Sequence, residues 1–230
     1  MNKEEFVKEL KKLGINISER QLLQFEQYYE LLIEWNGKIN LTAITLKQDV
    51  YLKHFYDSLT ITKVIDLNKV ESLCDIGTGA GFPGIVLKII FPNLKITLVD
   101  ALNKRIKFLS VVISELSLEN ITLVHARAEE YAKENRCKFD VVTARAVAPL
   151  PILLEYSMPM VKVNGYFIAY KGLEDEKESF NALKILNSKI ELKEEFDYGV
   201  GIRSLFKINK MKNISNKYPR RFSEIKKRPL

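Results

Sequence analysis

The apolar residues in the first 66 positions of the chain have the spacing of helices. A first apolar stripe stays on one helical face until Gly14 ends it. Ser18 and Gln21 have the spacing of a capping box, and the apolar stripe that follows them predicts a second helix ending near Gly37. Residues 50–61 predict one or two further helical turns.

From about residue 70 the pattern changes to short apolar runs that alternate with helical stretches. Strands are predicted over 70–77, 95–100, 121–126, 139–146 and 165–172, and helices over 83–91, 103–116, 128–134, 151–160 and 174–187. This alternation predicts an α/β fold with a doubly wound, mostly parallel sheet and right-handed crossovers. Two alternating segments, 189–198 and 203–210, flank Gly199 and Gly201 and predict a terminal antiparallel hairpin, for seven strands in all.

Length and composition fit one globular domain with two additions. The chain has 230 residues, of which 47% are hydrophobic and 28% charged. We expect a helical N-terminal cap (1–66), a Rossmann-like cofactor-binding domain (67–210) and a basic C-terminal tail (211–230). The N-terminus lacks the apolar core of a signal peptide and no apolar stretch could span a membrane, so a cytoplasmic protein is expected.

Cysteine and histidine are too scarce for a disulfide framework or a histidine-built metal site. Cys74 and Cys137 lie 63 positions apart, and the two histidines are His54 and His125. We therefore expect no metal.

The positive charge of the chain is concentrated at its C-terminal end. The net charge is +7, yet the segment from Arg203 to Leu230 has ten basic residues and one acid, which gives +9. The remaining 202 residues therefore carry 7 − 9 = −2. Such asymmetry indicates a polyanionic partner, although a solvated basic tail would give the same pattern.

The stretch CDIGTGAGFPG, residues 74–84, follows the first predicted strand and fits two cofactor loops. From Gly79 to Gly84 it is the G-x-G-x-x-G of nicotinamide and flavin enzymes. From Asp75 to Gly81 it is the D-x-G-x-G-x-G with which methyltransferases hold S-adenosylmethionine. In either case an acid that ends the next strand, here Asp100, would bind ribose hydroxyls.

Three features favour S-adenosylmethionine. No second catalytic domain follows the nucleotide-binding unit, and the chain has no Y-x-x-x-K pair of the kind that one class of reductases uses. Asp75 suits a cofactor that carries an ammonium and a sulfonium better than a pyrophosphate. The sequence therefore predicts a class I methyltransferase.

Several blocks in the same order resemble the bacterial small-subunit ribosomal RNA guanine-N7 methyltransferase family, also called glucose-inhibited division protein B. They are WNGKINLTAIT (35–45), HFYDSL (54–59), DIGTGAGFPGI (75–85), LVDALNKRIKFL (98–109), ARAEE (126–130), TARAVAPL (143–150) and KYPRRFSEIKKRPL (217–230). The last block departs from the family at Ser223, where glycine is usual.

The resemblance implies contacts with S-adenosylmethionine at Gly77, Phe82, Ala128, Glu129 and Arg145. The loop pattern adds Asp75, Gly79, Gly81 and Asp100. A cation beside a sulfonium is unfavourable, so Arg145 is expected to hold the cofactor carboxylate or a substrate oxygen.

The resemblance also implies an acceptor, N7 of a guanine in 16S ribosomal RNA. N7 carries a lone pair at neutral pH, so in-line attack requires no obligatory general base and we predict no catalytic residue. An amino-directed enzyme would have an Asn/Asp-Pro-Pro-aromatic loop where this chain has ARAVAPLP, and neither cysteine is placed for a carbon-5 pyrimidine enzyme.

RNA recognition would use cations for phosphates and aromatic faces for unstacked bases. The predicted RNA-binding residues are Lys53, His54, Lys217, Tyr218, Arg220, Arg221, Lys226, Lys227 and Arg228. The expected partner of a monomeric protein is 16S ribosomal RNA or the small ribosomal subunit, without DNA or membrane.

Three other functions stay open on the sequence alone. A methyltransferase for a small metabolite would have no use for the basic tail. An RNA-binding assembly factor would bind ribosomes without binding the cofactor, and an NAD reductase remains compatible with the glycine loop.

Overall fold

Strands and helices alternate along most of the chain, in a computed structural model that describes residues 1–145, 147–173, 176–199 and 201–230. The strands are β1 (Ser72–Ile76), β2 (Lys95–Asp100), β3 (Ile121–His125), β4 (Phe139–Arg145), β5 (Val161–Lys171), β6 (Ser188–Asp197) and β7 (Ile202–Lys210). The helices are α1 (Lys3–Lys12), α2 (Glu19–Ile39), α3 (Lys47–Val50), α4 (Asp57–Leu59), α5 (Gly84–Ile90), α6 (Asn103–Glu115), α7 (Ala128–Glu134), α8 (Leu150–Ser157), α9 (Phe180–Ile185) and α10 (Phe222–Lys227).

The predicted fold class is confirmed by the order of the strands, β3-β2-β1-β4-β5-β7-β6. Strands β1 to β5 are parallel, and β7 runs antiparallel to both β5 and β6, as the predicted hairpin requires. The chain moves outward from β1 to β3 and then returns to the other side of β1 with β4. This reversal opens a crevice at the carboxyl ends of β1 and β4, where doubly wound sheets bind their ligands.

Successive strand residues divide between two apolar cores, one on each face of the sheet. Leu73 belongs to the core that buries the N-terminal helices, whereas Cys74 belongs to the core that buries the C-terminal tail. In the first core Phe6 and Phe25 meet edge to face, with ring centroids 5.2 Å apart. In the second, Ile225 of the tail is fully buried. The two ends of the chain therefore cover opposite faces of one sheet.

The second helix extends past its predicted end. Gly37 lies inside α2, and the C-cap is Asn40, whose φ of 51° is in the left-handed region that asparagine tolerates. The side chain of Asn36 does not end the helix but binds the chain after it: its Oδ1 accepts hydrogen bonds from the backbone N–H groups of Leu41 (2.7 Å) and Thr42 (2.8 Å). The side chain of Asn36 thus fixes the chain that leaves the helix.

Other boundaries follow the predictions less closely. The capping box of Ser18 and Gln21 is present, but residues 47–63 form a mixed helical segment with a π-helical turn over Tyr51–Tyr56. Strand β5 begins at Val161, four positions before its predicted start, because Val161 already pairs with Phe139 ahead of a register shift. The first two positions of the predicted helix 174–187 and the last position of the predicted strand 139–146 lie outside the described residues.

Neither a membrane span nor a metal cluster occurs in the described ranges. No helix there combines the length and hydropathy that a membrane crossing requires. No group of three or more histidine, cysteine, aspartate or glutamate side chains in those ranges is arranged to hold a metal ion.

Candidate functional site

A cleft of about 440 Å³ lies at the crevice between β1 and β4. Three parts of the chain line it. The sheet domain, meaning here residues 67–187, contributes Gly77, Thr78, Gly79, Ala80, Phe82, Arg105, Arg145, Tyr170, Lys171 and Gly172. The helical region (1–66) contributes Leu41, Thr42, Ile44, Lys53, His54 and Asp57. The terminal hairpin (188–210) contributes Arg203. Its size is in the range of small-molecule sites.

The glycines of the loop differ in what surrounds them. Gly77 and Gly79 line the cleft with φ of +63° and +62°, which disfavours any side chain. A Cβ on Gly77 would lie 2.7 Å from Cγ2 of Val147, whereas a Cβ on Gly79 would meet nothing nearer than 4.0 Å. Gly81 faces the core instead, because its Cβ would lie 2.7 Å from the Tyr28 hydroxyl oxygen.

Two predicted carboxylates support this loop from beneath. Asp75 is fully buried, and its Oδ2 accepts hydrogen bonds from the Thr78 hydroxyl (2.7 Å) and the backbone N–H of Gly84 (2.9 Å). Burial raises the pKa of Asp75 to about 7. Asp100, 2% exposed, accepts from the backbone N–H of Gly79 (2.9 Å) and lies 3.2 Å from Arg105 Nη1.

The atoms around the loop fit a polar ligand. Within the described part of the chain, Oδ1 of Asp75 has no hydrogen-bond partner although it is buried. The backbone at Gly79 is open where a Cβ would point. The open backbone at Gly79 fits the close approach of a polar cofactor, whereas the buried Asp75 lies behind the loop and not among the residues that line the cleft.

Arg145 lines the cleft and has three hydrogen-bond partners. Its Nη1 donates to Asp57 Oδ2 (2.8 Å) and to the carbonyl oxygen of Lys53 (3.0 Å), and its Nη2 lies 3.2 Å from Nδ1 of His54. The guanidinium also lies over the ring of Phe82, 5.1 Å from its centroid. The predicted cofactor residues Phe82 and Arg145 are therefore in contact.

His54 is buried against the same ring. The imidazole stacks on Phe82 with centroids 4.5 Å apart and an interplanar angle of 21°. Burial and the nearby Arg145 charge lower the pKa of His54 to about 3, so the ring is neutral at physiological pH. Predicted as an RNA contact, His54 does line the cleft, beside Lys53.

Among the residues of the site that were not predicted from the sequence are Asp57 and two of its partners, Tyr198 and Arg203. Asp57 receives hydrogen bonds from Arg145 and from the hydroxyl of Tyr198, and Arg203 Nε lies 3.6 Å from it. Asp57 could have been found, because it belongs to the HFYDSL block beside His54. Tyr198 and Arg203 carried no local signal, since only the pairing of the terminal hairpin brings them here.

Ala128 and Glu129 open α7, away from the lining of the cleft. Glu129 is 3% exposed and pairs with Arg127 Nε at 2.6 Å. The guanidinium of Arg127 in turn lies 3.9 Å from the ring centroid of Phe222 in the tail. Their assignment to the cofactor stays a prediction.

The tail residues predicted to bind RNA divide into two sets. Five are exposed, namely Lys217, Arg221, Lys226, Lys227 and Arg228. The other two are placed differently, because Tyr218 is 7% exposed within the second core and Arg220 is paired with the fully buried Glu155, and their assignment to RNA stays a prediction. Arg220 donates to Glu155 through Nε (2.8 Å) and Nη2 (2.6 Å), which gives it a structural partner.

Comparison with known proteins identifies the family. A family model described as rRNA small subunit methyltransferase G matches residues 21–184. The protein named ribosomal RNA small subunit methyltransferase G in Lysinibacillus sphaericus is 48% identical over 239 positions, covering 100% of both chains. Its counterpart in Bacillus subtilis is 47% identical and covers 100% of this chain and 99% of its own. The chain belongs to this family.

Membership in the rRNA small subunit methyltransferase G family confirms the resemblance noted in the sequence and the predicted enzyme class, an S-adenosylmethionine-dependent methyltransferase. Solved structures show the fold. Mitomycin 7-O-methyltransferase gives a TM-score of 0.59 at 13% identity, covering 83% of this chain and 67% of its own. A 16S rRNA (adenine(1408)-N(1))-methyltransferase from Catenulisporales acidiphilia gives 0.54 at 13% identity, covering 63% and 87%.

Proposed function

We propose that this protein transfers the methyl group of S-adenosylmethionine to N7 of a specific guanine in 16S ribosomal RNA of the small subunit. The observation that carries the proposal is the match to the rRNA small subunit methyltransferase G family along the whole chain. The cleft at the strand reversal, with an open glycine loop on one side and cations on the other, supports it.

Within this proposal the cofactor is held by the sheet domain and supplies an electrophilic methyl group. Gly77 and Gly79 allow close backbone approach, and Phe82 offers an apolar surface at the same wall. Asp100 positions the loop through its hydrogen bond from Gly79 N–H, and Asp75 supports it from the core. The charge of Arg145 beside a sulfonium is offset by its ion pair with Asp57.

The side chains around the acceptor need only position it. Guanine N7 has a lone pair at neutral pH, so no residue has to remove a proton before attack. His54 is suited to orientation rather than to base catalysis, because its Nδ1 faces the Arg145 guanidinium and its pKa is lowered to about 3. The rate then comes from holding guanine N7 in line with the methyl group of the cofactor.

RNA would lie along the cations that ring the cleft and continue onto the exposed part of the tail. Lys53 and Arg203 are at the cleft, and the tail adds Arg221 and its exposed neighbours. The helical region (1–66) would act as a cap over the cofactor domain (67–210). The proposal includes a monomer in the cytoplasm, where small subunits are assembled.

The test uses small subunits and naked 16S RNA from cells that lack the gene. Both are incubated with purified protein and S-adenosylmethionine labelled in its methyl group, and the RNA is digested to nucleosides. We expect label in 7-methylguanosine at a single site. Label in another nucleoside, or none in either substrate, would overturn the proposal.

A further inference from the structure

One wall of the cleft comes from the chain that leaves α2. Leu41, Thr42 and Ile44 line the cleft there, and the side chain of Asn36 anchors the backbone of the first two. The residues proposed to hold the cofactor all belong to the sheet domain. The wall from the helical region, together with Arg203 of the hairpin, is therefore left for the methyl acceptor.

The hydrogen bonds of His54 settle which ring nitrogen carries its proton. Nδ1 lies 3.2 Å from Nη2 of Arg145, which can only donate, so Nδ1 must present its lone pair. Nδ1 is also 3.2 Å from the carbonyl oxygen of Lys53, but a proton placed on Nδ1 for that oxygen would meet the N–H groups of Arg145 Nη2, which have no lone pair to receive it. The neutral ring therefore has its proton on Nε2, 2.9 Å from the Thr42 hydroxyl oxygen.

This tautomer makes the Thr42 oxygen an acceptor twice. It receives Nε2–H of His54 at 2.9 Å and the backbone N–H of Ile44 at 3.0 Å. A hydroxyl has two lone pairs and one proton, so only the proton is left to bond. Within residues 1–145, 147–173, 176–199 and 201–230 no hydrogen-bond acceptor is found for the proton of this hydroxyl. Thr42 is half-buried and lines the cleft.

We propose that the Thr42 hydroxyl donates a hydrogen bond to O6 of the target guanine and so selects that base. The inference rests on the proposed function. On the edge that carries N7, guanine presents a second acceptor, O6, where adenine presents the N6 amino donor. A hydroxyl that can only donate forms a hydrogen bond with O6 of guanine, whereas the N6 amino group of adenine would face it with another donor. Arg145 and His54 act as positioning residues for this donor.

The experiment combines a protein change with a change of base. Thr42→Val removes the hydroxyl at nearly constant shape, and Thr42→Ser keeps it. Each variant and the unaltered protein are assayed on small subunits reconstituted with 16S RNA that carries guanine or 2-aminopurine at the target. 2-Aminopurine keeps N7 and lacks O6.

On guanine we expect Thr42→Val to lower kcat/KM about tenfold, the value of one hydrogen bond, and Thr42→Ser to stay within about threefold. On 2-aminopurine the loss from Thr42→Val should vanish, because its partner is absent. Affinity for S-adenosylmethionine, measured by calorimetry, should not change.

An equal loss on both bases would mean that Thr42→Val only disturbs the wall, and it would overturn the proposal. No loss on guanine would overturn it too. If the unaltered protein methylates neither base, the proposed function itself has failed, which is a different result.

Discussion

The pair formed by Arg220 and Glu155 allows a direct test of how the tail is held. Arg220→Ala leaves a carboxylate that is fully buried with fewer partners. Removing one partner of a buried ion pair costs about 3–5 kcal/mol. The lower end applies, because the backbone N–H of Arg220 also donates to Glu155 (2.8 Å) and survives the substitution. We therefore expect a loss of about 3 kcal/mol in the free energy of unfolding.

The neighbouring residue supplies a matched control. Arg221 is exposed, so Arg221→Ala should change the free energy of unfolding by less than about 0.5 kcal/mol. For a chain of this length, about 3 kcal/mol corresponds to a fall in Tm of roughly 6–12 °C. Thermal unfolding followed by circular dichroism, with urea midpoints as a second measure, separates the two variants.

Equal Tm values for the two variants would refute the reasoning. A double variant of the same pair guards against a trivial loss of folding. In Glu155→Leu with Arg220→Met both charges are absent, and an apolar pair in this core should recover most of the stability. If the double variant is no more stable than Arg220→Ala, the cost does not come from an unpaired carboxylate.

Three further predictions concern the cleft and the tail. Gly79→Ala should weaken the binding of S-adenosylmethionine at least tenfold, as measured by calorimetry. Gly14→Ala is the matched control, because Gly14 has a similar φ of +75° and equally open space, so both variants carry about 1–2 kcal/mol of backbone strain. The control should leave the affinity unchanged. Arg221→Ala should reduce by about 1 the slope of log affinity for 16S RNA against log salt concentration, and an unchanged slope would remove this residue from the phosphates. The pKa of His54 is about 3 in the folded protein and about 6.5 in the unfolded chain, so the contribution of this neutral ring to the free energy of unfolding is complete above pH 6.5 and is lost as the pH falls toward 3. His54→Asn should therefore flatten the dependence of the urea midpoint on pH over that interval. An unaltered dependence would contradict the buried, neutral ring.

The sheet could be predicted because each of its strands is marked locally. Apolar runs between turn residues, together with helical spacing between them, predicted all seven strands and the terminal hairpin. The end of α2 could not be predicted in this way. Gly37 is a common stop signal, but Asn40 adopts the left-handed conformation and Asn36 caps the following chain, a choice made by side-chain hydrogen bonds that spacing does not reveal.

The sequence indicated the site residues that lie close together along the chain, and it did not indicate those that only pairing between distant segments brings together. The glycine loop and Asp100 belong to one strand-helix-strand unit, so their spacing indicated them. The basic tail was treated as a uniform RNA surface, since charge in a sequence does not show which cations are already paired. Only the fold places Arg220 on a buried glutamate and leaves Arg221 exposed.

Asp57 shows that the helical region and the hairpin are parts of the site. Its carboxylate meets Arg145 of β4, Tyr198 at the start of the hairpin turn and Arg203 of β7, and the first two of these partners lie 88 and 141 positions away in sequence. A buried carboxylate with three such partners is satisfied only when all three parts have assembled. The orientation of Arg145, and through it of His54 and the Thr42 hydroxyl, therefore depends on the helical region and the hairpin together. The glycine loop depends on the helical region as well, because the buried Tyr28 hydroxyl donates a hydrogen bond to the carbonyl oxygen of Ala80.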